Sequence, residues 1–163
     1  MIKQELAHLT AEETVQRYGP MVYRIALSQT KNKEDAEDVF QEAFLSLIRS
    51  NPSLESEEHR KAWLIRVTLN CCKKHFRSMK KVTVPLTEDI PCEFTPEEED
   101  VYGAVLSLPQ KYKTVIHLFY YEDLPVKEIG EILDIKENAV KTRLFRARQM
   151  LQPKLREMFE QDE

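Results

Sequence analysis

Apolar residues recur along most of this chain at steps of three and four, the period of one face of a helix. Val15, Tyr18, Val22, Ile25 and Ala26 form the first such stripe. Thr10-Ala11-Glu12-Glu13 has the spacing of a capping box and predicts the start of that helix. Gly19-Pro20 lies inside it, and the missing proline N–H is positioned to bend or divide it. A second stripe, Ala36, Val39, Phe40, Ala43, Phe44, Leu47 and Ile48, predicts a helix from about Lys33 to Ser50. Asn51-Pro52-Ser53 breaks it, and a polar loop follows. A third helix is expected from about Arg60 to Ser78, with Ala62, Trp63, Ile65, Val67 and Leu69 as the candidates for burial.

The periodicity then stops. Residues 80–96 hold Pro85, Pro91 and Pro96 and read as a linker. Helical pattern returns over about 97–107, 110–121, 126–133 and 137–156, with Pro109 and Pro125 near helix starts, where proline is tolerated. The expected fold is all-α. Two small helical domains, 1–79 and 97–163, are joined by an acidic, proline-containing linker at 80–96.

Composition excludes several classes. Gly19, Gly103 and Gly130 are the only glycines, too few and too scattered for a phosphate-cradling loop. No apolar run approaches the roughly 18–20 residues of a membrane span. The opening MIKQELAHLTAEE lacks the apolar core of a signal peptide, so a cytoplasmic protein is expected. Cys71, Cys72 and Cys92 are odd in number and lack zinc-ligand spacing, so free thiols are the plain reading and a redox pair the weaker one. His8, His59, His75 and His117 are spread over both domains without a catalytic constellation. No catalytic residue, metal ligand, cofactor or small-molecule substrate is expected.

Charge changes the picture. The formal net charge is −4, yet the charges are segregated. Residues 59–81 carry Arg60, Lys61, Arg66, Lys73, Lys74, Arg77, Lys80 and Lys81 with no acid among them. Residues 85–100 carry Glu88, Asp89, Glu93, Glu97, Glu98, Glu99 and Asp100 with no base. A second basic stretch follows from Lys136. One such run reads as a solvated helix face. Two, with Trp63, Phe76 and Phe145 interleaved, point to a polyanion met at two places.

The segment LPVKEIGEILDIKENAVKTRLFRAR carries the most specific pattern, that of a helix-turn-helix. Ile129, Ile132 and Leu133 give the first helix an apolar side, Gly130 permits a close crossing, and Ile135 is the apolar residue of the turn. Val140, Leu144, Ala147 and Leu151 form the inward stripe of the second helix. Lys141, Thr142, Phe145, Arg146 and Gln149 then face outward, flanked by Arg143 and Arg148. Such cations reach phosphates or guanine edges. A charged bundle helix is the alternative.

Two further strings complete the pattern: D-A-E-D-x-x-Q-E from Asp35 to Glu42, and W-L-x-R-x-x-x-N from Trp63 to Asn70. Together with V-K-x-R-L-F-R-A-R at 140–148, they closely resemble the bacterial RNA polymerase sigma factors of the small extracytoplasmic-function (ECF) class. The resemblance covers both domains, their order and the linker. It implies a sigma region 2-like first domain whose second helix docks on the polymerase β′ clamp helices through Asp35, Asp38, Gln41 and Glu42. From spacing alone that acidic stripe reads equally as a solvated face. A di-metal carboxylate site is disfavoured because no E-x-x-H partners occur.

The third helix would open and read the minus-10 promoter element through Trp63, Arg66, Asn70, Lys73, Lys74 and Arg77. The loop at about 51–61 would hold a base flipped from the stack, an extraction costing a few kcal/mol. Trp63 taken alone reads as core packing ahead of base stacking. The C-terminal domain resembles sigma region 4. Its recognition helix would read the minus-35 element through Lys141, Thr142, Phe145 and Arg146, with Arg143 and Arg148 nearer phosphates, and its other surfaces would meet the β flap.

The implied partners are core RNA polymerase, promoter DNA and an anti-sigma factor, often membrane-bound. The acidic linker is expected to mimic nucleic acid near the polymerase's RNA path. Three places depart from the family pattern. Lys136 replaces a common capping serine, Asn138-Ala139 a common Gly-Thr, and Pro125 a common serine. An autonomous dimeric helix-turn-helix regulator is the competing reading. Two unlike basic domains favour the sigma factor, a non-catalytic subunit.

Overall fold

A computed structural model describes residues 9–78 and 96–160. The expected linker residues 80–95, with Cys92, Glu88, Asp89 and Glu93, lie outside them, as does His8. The chain divides into two compact units, Met1–Leu86 and Thr87–Glu163. No strand occurs among the described residues.

Among the described residues, the first unit packs three helices: α1 (Ala11–Thr30), α2 (Lys33–Ser50) and α3 (Glu57–Ser78). Thr10 caps α1, its Oγ1 accepting the Glu13 N–H at 3.1 Å. The helix runs undivided through Pro20 to Thr30. Asn32 caps α2 by accepting from the N–H groups of Glu34 and Asp35, and left-handed Asn51 closes it. Val22, Ile25, Ala26, Ala36, Val39, Ala43, Leu64 and Ile65 are at most 1% exposed and form the core. The alanines among them let the backbones approach.

Helix α3 begins three residues earlier than the pattern suggested. Ser56 explains the difference: its Oγ accepts the His59 N–H at 3.1 Å, while Glu57 and Glu58 sit at the positive end of the helix dipole. The loop ahead of α3 is therefore 51–56, shorter than the expected 51–61. Glu57 also pairs with Arg17 at 2.7 Å. Of the five burial candidates, Ile65 and Leu69 are buried, while Ala62, Trp63 and Val67 are half-buried. Leu64, Thr68 and Cys72 complete the buried face.

Two further expectations are corrected. Arg60, counted with the basic run, is withdrawn to 4% exposure, its Nη1 donating to Thr14 Oγ1 at 3.4 Å. Ile48, assigned to the core, is 59% exposed. Ile48 and Leu47 point about 100° apart on the helix, and the last turn of α2 buries Leu47 instead.

The second unit contains α4 (Pro96–Leu106), α5 (Gln110–Ile116), α6 (Val126–Leu133) and α7 (Glu137–Glu160). The helix expected over 110–121 changes character at His117, where a π turn runs to Tyr121. The Glu122 N–H reaches back five residues to the His117 carbonyl at 3.2 Å. The extra residue in this turn leaves Tyr120 51% exposed. Beneath it, Tyr121 lies edge-on to Tyr102 at 5.3 Å and stacks on buried His117 at 5.4 Å.

Candidate nucleic-acid and partner interfaces

The helix-turn-helix is built around Gly130. Asp134 closes α6 in a left-handed conformation, φ 56°, and donates its N–H to the Gly130 carbonyl. The Ile135 N–H bonds to the same oxygen at 2.9 Å. A Cβ on Gly130 would lie 2.8 Å from the Ile135 carbonyl oxygen, so the turn folds back onto a position that only glycine fits. Pro125 occupies the cap position of α6 without a side-chain hydrogen bond.

This turn orients α7. Val140, Leu144, Ala147 and Leu151 are buried at 0%, 2%, 0% and 8% exposure, as their spacing requires. Lys141, Thr142, Phe145, Arg146 and Gln149 are exposed on the other side. Phe145, at 59%, is a large apolar group held in solvent. Arg143 is half-buried. Arg148 turns toward the π turn: its Nε donates to Tyr120 Oη at 2.8 Å, and the guanidinium lies 5.7 Å from the Phe119 ring centre.

Two contacts on this face restrict its chemistry. Thr142 Oγ1 donates to the Asn138 carbonyl at 2.9 Å. With its proton so engaged the hydroxyl is an acceptor, suited to a base amino group rather than a phosphate oxygen. Arg146 lies beside Tyr112 in the same cleft, and its guanidinium is the main cause that lowers that phenol's pKa. Lys111 adds its ammonium 5.0 Å from the same ring centre. Lys111, Tyr112, Asn138, Thr142, Arg143 and Arg146 line a shallow cleft of about 320 Å³. Lys111 and Tyr112 were not identified from sequence, because they lie on α5, 24 or more residues before the motif's basic run.

Behind the tip of α7 lies a larger, apolar groove of about 1010 Å³. Val101, Val105, Ile116, Tyr120, Phe145 and Leu155 line it, with Arg148 and Arg156 beside them. No stripe in the sequence announces it, since its walls come from three helices and the π turn.

In the first unit, Arg66, Asn70, Lys73, Lys74 and Arg77 are exposed, and Trp63 is half-buried. Positions 63, 66, 70, 73 and 77 fall at steps of three and four, so they share one face of α3. Phe76, 45% exposed, lies beside that face.

On α2, Asp38 and Gln41 are exposed, while Asp35 and Glu42 are half-buried. Asp35 Oδ1 lies 3.0 Å from His75 Nε2 on α3. Glu42 is 3.9 Å from Arg49. Burial, and then the Glu42 carboxylate, push the Cys71 thiol up, which makes it a poor nucleophile. The same ridge continues into Leu45, 41% exposed, and Ile48. Sequence reading missed this extension because Leu45 lies off the apolar stripe and Ile48 was assigned to the core.

Comparison with known proteins follows the same division. The family Sigma-70 region 2 matches residues 14–82, and Sigma-70, region 4 matches residues 98–151. The chain is 34% identical over 138 residues to RNA polymerase sigma factor SigV of Bacillus subtilis (strain 168), covering 82% of this chain and 83% of that one. It is 34% identical over 156 residues to ECF RNA polymerase sigma factor SigM of the same strain, covering 88% and 93%. Its fold matches the sigma factor RpoE of Bartonella quintana, solved with the anti-sigma factor NepR. That match has a TM-score of 0.74 at 21% identity and covers 89% of this chain and 96% of the other. Two sigma domains in order, and relatives similar over most of both chains, place the protein in the ECF class of RNA polymerase sigma factors.

Proposed function

We propose that this sigma factor divides its work between three faces. Residues 1–79 bind core polymerase and open the minus-10 element, residues 97–163 read the minus-35 element, and residues 80–96 connect them. One observation carries the reading: two separate units each expose a cationic helix face, on α3 and on α7, while α2 exposes an acidic one.

The chemistry suits each partner. On α7, Lys141 and Arg146 supply charge for phosphates or guanine edges, Thr142 accepts from a base amino group, and Phe145 offers an apolar surface to a thymine methyl. Arg143 and Arg148 flank the site. On α3, Arg66, Lys73, Lys74 and Arg77 track a strand's phosphates, and Asn70 offers both donor and acceptor to an extruded base. Trp63 packs at the edge of that face. On α2, Asp38, Gln41, Asp35 and Glu42 form the polar half of a surface for the β′ clamp helices, and Leu45 and Ile48 its apolar half. The apolar groove behind α7 is the surface assigned to the β flap.

Polymerase performs the chemistry, and this subunit contributes specificity without catalysis. It works in the cytoplasm; no helix among the described residues is long and apolar enough to cross a membrane. The anti-sigma factor bound to the Bartonella relative supports the same kind of control here, with a partner that covers the polymerase-facing surfaces.

The test is a titration of core RNA polymerase into the fluorescently labelled protein at fixed salt, followed by anisotropy. Saturable one-to-one binding, competed by another sigma factor, supports the proposal. No binding by protein shown to be folded and inhibitor-free would return the chain to the autonomous-regulator reading, with a palindromic DNA site to be sought.

A further inference from the structure

We propose that Asp35, Asp38 and His75 form a binding site for a zinc-class divalent cation, and that its occupation neutralises the two aspartates of the acidic stripe on α2. The second half rests on the assignment of that stripe to polymerase; the first does not.

The two aspartates lie three residues apart on α2, so their side chains share one side of the helix. His75 arrives from α3, which packs against α2. One imidazole nitrogen and one oxygen of each carboxylate all fall within 4.8 Å of one another. His75 Nε2 and Asp35 Oδ1 are already 3.0 Å apart, with side chains 16% and 19% exposed. Tetrahedral zinc with bonds of about 2.0–2.2 Å holds neighbouring donor atoms roughly 3.4 Å apart. Exposed Asp38 can therefore close the set by rotating its carboxylate.

The imidazole supplies a second observation. His75 Nε2 is buried and paired with Asp35 Oδ1 at 3.0 Å, but in a geometry that makes no hydrogen bond. A buried ring nitrogen left so is costly. A cation between the three donors would satisfy its lone pair.

Donor chemistry selects the ion. Calcium and magnesium take oxygen ligands, whereas an imidazole with two carboxylates suits zinc, cobalt or nickel. Three protein ligands leave at least one position for water or for a partner's group. Two carboxylates and one divalent ion sum to no net charge. The loaded site would thus cancel the two aspartate charges of the stripe, leaving Glu42 as its one carboxylate for a basic partner helix.

The full-length protein, stripped with chelator, is titrated with zinc chloride by calorimetry and with cobalt(II) by visible absorption. The expected result is one equivalent bound, with cobalt ligand-field bands and no thiolate charge-transfer band, which excludes Cys71, Cys72 and Cys92 as ligands. His75→Gln and Asp38→Asn should each weaken binding by more than about tenfold, since even outer partners of metal ligands are worth ten- to hundredfold. Circular dichroism of both variants establishes that they fold. No saturable binding, or binding unchanged in folded His75→Gln, overturns the site.

Core polymerase binding is then measured with and without zinc. Zinc should weaken binding of the natural protein severalfold and leave His75→Gln unaffected. His75-dependent zinc binding with unchanged core affinity would keep the metal site and refute the assignment of α2 to polymerase.

Discussion

Arg146 on the exposed face of α7 shares a cleft with Tyr112 on α5 and lowers that phenol's pKa, coupling a recognition-helix cation to the scaffold. A guanidinium coupled this way loses less side-chain entropy when it meets DNA. Tyr112→Phe keeps the buried ring and removes the hydroxyl. It should weaken binding of the holoenzyme to a minus-35 duplex by about two- to fivefold, the scale of one modest hydrogen bond. Arg146→Ala removes the contact itself and should cost about 1–3 kcal/mol, tenfold or more. Anisotropy on a labelled duplex reads both. Equal affinity for Tyr112→Phe and the natural protein would show that the coupling does not prepare Arg146 for DNA.

Gly130 and Gly103 are both helical, yet they should answer opposite ways to alanine. A Cβ at Gly130 meets the Ile135 carbonyl oxygen at 2.8 Å, a backbone atom that cannot swing aside. Overpacking of this kind costs about 1–3 kcal/mol and outweighs the helix propensity gained. A Cβ at Gly103 meets nothing within 4 Å. Gly103→Ala should therefore stabilise by about 0.5–1 kcal/mol. Urea unfolding followed by far-ultraviolet circular dichroism should move the two midpoints in opposite directions.

The helices and the helix-turn-helix were legible because each depends on local pattern. The stripe Val140, Leu144, Ala147 and Leu151 predicts its own burial, and Thr10 and Asn51 sit beside the helix ends they cap or close. Legibility ended where one position could serve two environments. Arg60 read as surface charge, but Thr14, 46 residues earlier, receives its guanidinium within the fold. Ile48 read as core, but the end of α2 has room to bury only one of two adjacent apolar side chains there. The π turn was invisible because His117–Tyr121 contains no helix breaker; its signature is a five-residue hydrogen bond rather than a residue type. Tyr112 beside Arg146 and His75 beside Asp35 are likewise products of packing between helices.

Tyr18 makes a prediction about alkaline pH. Its phenol is pushed up to about 12, first by burial and then by the Glu57 carboxylate beside it. An unfolded tyrosine titrates near 10. Above that pH the unfolded chain has released this proton while the folded chain retains it. The native state then binds more protons, so unfolding free energy falls as pH rises. The contribution is fully present below pH 10 and is lost progressively between about 10 and 12. Urea midpoints compared between the natural protein and Tyr18→Phe should keep a constant gap below pH 10. Between 10 and 12 the natural protein should lose ground against the variant. A gap constant through pH 12 would mean that Tyr18 ionises as freely when folded as when unfolded.

The ridge on α2 combines two kinds of contact, and substitutions can separate them. Asp38 is exposed, and reversal of its charge leaves no buried group unpaired. Asp38→Arg should therefore keep the fold, while like charges now oppose a basic clamp helix. Core affinity should fall by tenfold or more at low salt, and the deficit should shrink as salt screens it. Ile48, at 59% exposure, already spends most of its surface in water. Ile48→Ala should change stability by less than about 0.5 kcal/mol, as surface substitutions do. Its loss of core affinity should be largely independent of salt, because apolar burial is not screened. Anisotropy titrations at two salt concentrations separate the effects. If Asp38→Arg shows no salt-dependent deficit, the polar half of the ridge does not face a basic partner. If Ile48→Ala binds core as tightly as the natural protein, the interface ends before the last turn of α2.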